Sequence, residues 1–224
     1  MSASFYEYLR TIQMGESILI EYKPTEPLHM IFNKVLEYAK QNNSKILIID
    51  ILDTFHVIKE HLKTCNLDTE TLDKLDVIKG GGIINVGHVL KKIDISKEPP
   101  IYISEFAKFL EEYYRQNKNV VVVILGADKL TRVYLTEVPT LEMNIGLLLK
   151  KFLGNPSRVA IWFVNTGMVP QKLLIEWEEI STRVLEIALK GKKQFVIKIK
   201  KSIKIEDHGK EFIVSAEEVL YSEV

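Results

Sequence analysis

Apolar residues along this chain follow two rhythms. Short runs rich in Ile, Val and Leu occupy Ile18–Tyr22, Lys45–Ile51, Asp76–Lys79, Val120–Leu125 and Arg158–Asn165, each bounded by polar, Gly or Pro residues. Nearly continuous apolar runs of this length predict strands buried on both faces. Between them, apolar residues recur every three or four positions over Leu28–Gln41, Thr54–Thr64, Glu105–Gln116, Leu141–Leu153 and Gln171–Ile180. That spacing predicts amphipathic helices. Strand alternating with helix belongs to a parallel sheet, because parallel neighbours need a crossover connection. The predicted fold class is α/β, with a mostly parallel central sheet and helices on both faces.

From Thr182 the rhythm changes to TRVLEIALKGKKQFVIKIKKSIKIEDHGKEFIVS, with alternation of period two and turn signals at Lys-Gly-Lys-Lys and Asp-His-Gly-Lys. Residues 182–224 are therefore expected to add an antiparallel strand meander to one edge of an α/β core formed by residues 1–181. With no repeat and no long linker, all 224 residues are expected to form one domain. A hydrophobic content of 46% against 27% charged residues supplies a core and excludes a disordered chain.

Charge changes the picture locally. The chain carries 30 basic and 30 acidic residues, so no global field draws it to nucleic acid or membrane. Seven of the basic residues, however, are Lys190, Lys192, Lys193, Lys198, Lys200, Lys201 and Lys204, in a segment without acids. An equal excess of acids is spread over the rest. Alternation in FVIKIK puts Phe195, Ile197 and Ile199 on one face and Lys198 and Lys200 on the other. Such a row either protects an exposed sheet edge or contacts phosphates of RNA or a ribonucleoprotein. Phe195 is the one aromatic residue in the segment, which argues against base stacking.

One cysteine, Cys65, excludes an internal disulfide and is expected to be a packed thiol. The N-terminal residues lack the pattern of a signal peptide, and no apolar run approaches membrane-spanning length. The expectation is a cytoplasmic protein with no membrane association. Richness in Lys, Glu and Ile fits a hot environment, although the Asn and Gln content tempers this.

The loop after the first predicted strand is the usual phosphate cradle of an open α/β sheet. A P-loop, G-x-x-x-x-G-K-[ST], needs glycines to free backbone amides, a lysine for charge and a hydroxyl for magnesium. Here the corresponding residues are Glu21, Tyr22, Lys23, Pro24, Thr25, Glu26, Pro27 and Leu28, followed by His29. Glu26 takes the place of the second glycine, Pro27 of the lysine and Leu28 of the hydroxyl residue. Carboxylates at Glu21 and Glu26 repel phosphate, and Pro27 removes a donor. Pro27 suits the first helical position, with Thr25 or Glu26 as its cap.

The segments GESILIEYKPTEPLHMIFNKVLEYAKQNNSKILIIDILDTFHVIKEHL and LDKLDVIKGGGIINVGHV resemble a family of hyperthermophilic archaeal proteins of unassigned activity, related to KaiC and RecA ATPase domains. The likeness is strongest at EY-x-x-x-x-P-x-H and ILDT, and FVIKIKKSIKIEDHGKEFIVS is similar to the last strands of KaiC-like domains. It implies a three-layer RecA/KaiC-like core with degenerate Walker motifs. The strand Val120–Leu125 would be Walker B, yet Gly126 and Ala127 follow it and Asp128 comes late, so the metal handle looks lost. Asp50 and Asp53 fall where KaiC-like ATPases carry the acidic pair that orients the attacking water.

Other candidate groups point less sharply. Asp50 and Asp53 read as a general base or metal pair, or as a turn residue and the cap of the helix from Thr54. His56 and His61, five apart, do not align as metal ligands. Gly80, Gly81 and Gly82 lack a following lysine and read as a flexible connection, tight backbone packing or an interface loop. His29 and His88 stand isolated, and no metal site is expected.

The expected function is a non-catalytic, P-loop-derived binding or regulatory module, a homo-oligomer with the dimer as first choice. Its partner would be a protein or a ribonucleoprotein such as the ribosome, with RNA met by the lysine hairpin, and it would use no cofactor. The alternative is an ATP sensor or ATPase with ATP and magnesium bound in an unorthodox way.

Overall fold

The five apolar runs become neighbouring strands at the centre of a nine-stranded sheet. The computed structural model of the chain describes residues 4–133, 138–191 and 193–215, the side chains of residues 132, 133 and 138–144 excepted. The elements begin with α1 (Phe5–Leu9), β1 (Ser17–Tyr22), α2 (Leu28–Gln41), β2 (Lys45–Ile51), α3 (Thr54–Thr64), β3 (Asp76–Gly80) and β4 (His88–Ile93). They continue with α4 (Pro99–Gln116), β5 (Val120–Leu125), α5 (Leu130–Val133), α6 (Val138–Phe152), β6 (Arg158–Asn165) and α7 (Gln171–Ile180). Three strands close the described chain: β7 (Arg183–Lys190), β8 (Gln194–Lys201) and β9 (Glu211–Ser215).

The strand order is β4-β3-β2-β5-β6-β1-β7-β8-β9, parallel from β4 to β7 and antiparallel at β8 and β9. This is the expected α/β class with antiparallel strands at its end. Two details differ. β7, expected in the antiparallel meander, runs parallel to β1 because it enters through the α7 crossover. β4 was hidden because only Val89 and Leu90 interrupt its polar edge character before Ile93. The helix α4 also starts earlier than the apolar spacing suggests, because Pro99 and Pro100 fit a first turn whose amides need no partner.

Alternation in the strands divides the core. Ile18 and Ile20 of β1, with Val121, Val123 and Leu125 of β5, face α1, α2 and α3. Leu19, Val120 and Val122 face α4, α6 and α7 on the other side. There Trp162 packs on Trp177 with ring centroids 5.2 Å apart, joining β6 to α7. Asn43 and Asn66 follow α2 and α3 with φ of 48° and 59°, the left-handed conformation that ends a helix and that Asn tolerates. At the amino edge, buried Arg183 holds Glu16 at 2.7 Å and 2.8 Å, pinning the segment before β1 to β7. Among the described residues, no helix is long and apolar enough to cross a membrane.

After β1 the chain leaves toward the α2 face, whereas after β6 it leaves toward the α7 face. Opposite departures from adjacent parallel strands open a crevice at their carboxyl ends, the usual ligand position in open α/β sheets. The sequence candidates Glu21–His29 and Asp50, Asp53 and Asp128 all sit on that edge.

Candidate functional site at the carboxyl edge of the sheet

The loop after β1 uses its own atoms to fill its own amides. The Glu26 carboxylate accepts the Lys23 amide, the Glu26 amide bonds Lys23 O at 2.9 Å, and the Leu28 amide bonds Glu26 O at 2.8 Å. Pro24 and Pro27 have no amide to offer. The expected cap of α2 is corrected: Pro27 itself stands at the cap position, and neither Thr25 nor Glu26 caps the helix with its side chain. Glu26 instead folds back on the Lys23 amide.

Glu21 is buried on the α7 face of β1. Its Oε2 accepts from Lys200 Nζ of β8 at 2.7 Å, and the same lysine reaches Glu178 of α7 at 2.6 Å. Its Oε1 has no hydrogen-bond partner. Burial pushes the Glu21 carboxyl up to about 7, Lys200 pulls against this, and neighbouring Glu178 adds to the rise. Burial also works against Glu178, yet Lys200 holds it below the ordinary carboxylate range. The more exposed carboxylate keeps the charge while the buried one gives it up first.

Asp128, three residues beyond β5, is buried, and neither carboxylate oxygen has a hydrogen-bond partner. Burial pushes its carboxyl up to about 6. It lies close enough to Tyr22, at the end of β1, to add to the upward push that burial gives that phenol. The residue that comes late for a Walker B aspartate is thus buried near Tyr22 without a hydrogen-bond partner.

Asp50 and Asp53 meet a residue that no sequence motif signalled. β2 and β3 pair in parallel with Asp50 beside Lys79, whose side chain is only 2% exposed. Lys79 Nζ lies 3.0 Å from Asp50 Oδ2 and also bonds Asp53 Oδ1. Burial pulls the Lys79 ammonium down, but the two carboxylates outweigh it and hold its pKa above the ordinary lysine value. Burial likewise opposes ionisation of Asp53, and Lys79 with two backbone amides reverses this, leaving Asp53 below its ordinary range.

The expected capping roles are exchanged. Asp53 stands at the cap position of α3 but makes no side-chain cap bond. Asp50 does that work, accepting the Phe55 amide at 2.9 Å. Asp53 accepts instead from the amides of Ile83 and Ile84 at 2.8 Å and 3.1 Å. Of the readings for the glycine run, tight backbone packing is observed: Gly82 has φ +73°, and a Cβ there would run into the Asp53 carboxylate. A lone lysine inside the apolar run DVIKG was the available signal for this cluster, but without strand order it had no partner.

The histidines are less isolated than expected. His29 Nε2 lies 3.6 Å from Cys65 Sγ, and its ring meets that of His61 edge-on at 5.6 Å. Burial, and then His61, pull the His29 imidazole down. His88 lies 3.2 Å from Asp76 at the amino edge. Among the described residues, no group of three or more His, Cys, Asp or Glu side chains is arranged to hold a metal ion.

The lysine row divides in two. Lys200 closes over Glu21, and Lys201 donates to the Glu178 and Glu179 carbonyls at the end of α7, both at 2.8 Å. Lys190 and Lys198 are exposed and Lys204 is half-buried, while Lys193 also has a partner. Lys192 lies outside the described residues. β8 is no edge strand, being paired to β7 and β9 on its two sides, so edge protection does not account for its lysines.

A mostly parallel sheet with this switch point, layered between helices and finished by antiparallel strands, defines an α/β domain of the RecA-like class. Flagellar accessory protein FlaH from Methanocaldococcus jannaschii shares the fold, with a TM-score of 0.58 over 91% of this chain and 86% of that one; at 13% identity the likeness concerns fold alone. More similar is the Pyrococcus horikoshii OT3 protein studied as project PH0250, with a TM-score of 0.76 and 28% identity over 96% of this chain and 98% of that one. No curated protein matches the chain. The chain belongs to the family described as Pyrococcus protein of unknown function, DUF257, whose model matches residues 7–212.

Proposed function

We propose that the protein is a non-catalytic RecA/KaiC-like module that works by binding, with its former nucleotide edge closed by its own side chains. The carrying observation is that Glu26 fills the amide of the loop after β1 that a phosphate would approach. Two further groups support it: Glu21 is tied to Lys200, and Asp50 and Asp53 are both tied to Lys79. A carboxylate pair engaged with a buried ammonium is poorly placed to orient water. Assembly as a homodimer, with a protein or ribonucleoprotein partner, follows the same reading. Any phosphate contact by the hairpin would fall to its other lysines, since Lys200 and Lys201 serve the fold.

Thermal unfolding in the presence of Mg-ATP tests the reading. A ligand at one hundred times its dissociation constant stabilises by about 2.7 kcal/mol. The expected outcome at millimolar Mg-ATP is an unchanged Tm. A saturable rise would favour a second reading, ATP and magnesium bound in an unorthodox way, for which the unpartnered Asp128 is the supporting observation.

A further inference from the structure

Two consecutive non-glycine residues, Leu52 and Asp53, have φ of 53° and 60°. For residues with a side chain this left-handed conformation is strained. Such conformations persist where surrounding contacts over-determine them, and they cluster at ligand clamps and switches. Here the Leu52 amide donates to Gly80 O at 3.0 Å and Asp53 O accepts from Val57 N at 3.3 Å, and the Asp53 carboxylate adds three further contacts. Asp53 accepts from Ile83 N, Ile84 N and Lys79 Nζ, and Gly81 and Gly82 supply the positive φ and close approach that aim the two amides at it.

With the Asp53 carboxylate set aside, the remaining groups are two convergent backbone amides, a buried ammonium and a glycine-rich loop. That is the donor set of an oxyanion site. Asp50 shares the ammonium but faces the Phe55 amide with its other oxygen, so it does not fill the two loop amides. Asp53 retains 20% side-chain exposure, so the cradle lies within reach of solvent. Beside it Ile83 is 90% exposed, an apolar contact held in place by its own captured amide.

We propose that Lys79 Nζ and the amides of Ile83 and Ile84 form an oxyanion-binding site that Asp53 occupies in the resting protein. Its ligand is a phosphate or carboxylate group carried on an apolar body that meets Ile83. Binding exchanges the ligand oxyanion for the Asp53 carboxylate, which turns out toward water. The inference goes beyond the binding-module reading: the loop after β1 takes no part, and the Asp53–Lys79 contact that closes this end of the edge at rest opens only when the ligand oxyanion replaces it.

The test replaces the resident anion. D53G removes the carboxylate and suits the left-handed backbone; D53N, which also tolerates that conformation, is the second variant should the first fold poorly. Each is titrated with inorganic phosphate and, separately, with acetate at constant ionic strength, following the Ile83 and Ile84 amide resonances and Tm. Saturable shifts at both amides and a rise in Tm are expected, with affinity at least about tenfold above wild type, where a tethered carboxylate competes at millimolar or higher effective concentration. K79M in the D53G background should abolish the response. Response to phosphate, to acetate or to both identifies the oxyanion; no response to either in both Asp53 variants overturns the proposal.

Discussion

Two lysines close the carboxyl edge, and they do so differently. Lys79 is almost wholly buried between Asp50 and Asp53, whose oxygens are further bonded to the amides of Phe55, Ile83 and Ile84. Lys200, with 34% side-chain exposure, spans Glu21 and Glu178 and leaves one oxygen of buried Glu21 without a partner. The first cluster meets its polar atoms with partners. The second resolves its imbalance by raising the Glu21 carboxyl to about 7. A buried ion pair holds structure firmly only when its remaining lone pairs are also met.

Removing each lysine separates the two most strongly. K79M leaves two aspartates facing a buried apolar side chain and should cost about 3–5 kcal/mol, read by denaturant unfolding. K200M should cost on the order of 1–2 kcal/mol, because Glu21 can take a proton and Glu178 can turn to solvent. Equal losses would erase the distinction.

The pH dependence of Glu21 is opposite in sign to that of Asp53. Glu21 titrates near 7 when folded against an ordinary 4.5, so its contribution is fully present below about 4.5 and is lost as pH rises toward 7. Asp53 is held below its ordinary 3.8, so its contribution is present above that value and is lost as pH falls through the lower folded value. Unfolding free energies from pH 4.5 to 7 should show wild type losing stability relative to E21Q. Parallel profiles would remove Glu21 as the titrating group.

The smallest expected effect lies on the hairpin. K198Q, at an exposed position of β8 between its cross-strand neighbours Glu186 and Glu211, should change stability by no more than about 0.5 kcal/mol. If RNA or a ribonucleoprotein meets this face, the same change should weaken that binding and flatten its salt dependence in a filter-binding assay.

The central strands were legible because burial on both faces leaves near-continuous apolar runs, and their order followed only from the structure. That order is why the partners were not legible. Asp50 and Lys79 are 29 residues apart and become neighbours through parallel pairing of β2 with β3. Glu21 and Lys200 are 179 apart and meet across β7. In the loop after β1 the sequence could not tell that Glu26 folds back on the Lys23 amide. Asp53 looked like a cap because it precedes α3; its left-handed backbone turns the carboxylate toward the glycine loop.

The central claim is that the carboxyl edge of this RecA-like fold is closed by its own side chains. Amide-resolved titration of the wild-type protein with Mg-ATP tests it most directly. The account predicts no saturable shift at Tyr22, Lys23, Glu26 and Leu28 through Met30. Saturable shifts there, with Asp128 responding to magnesium, would contradict it.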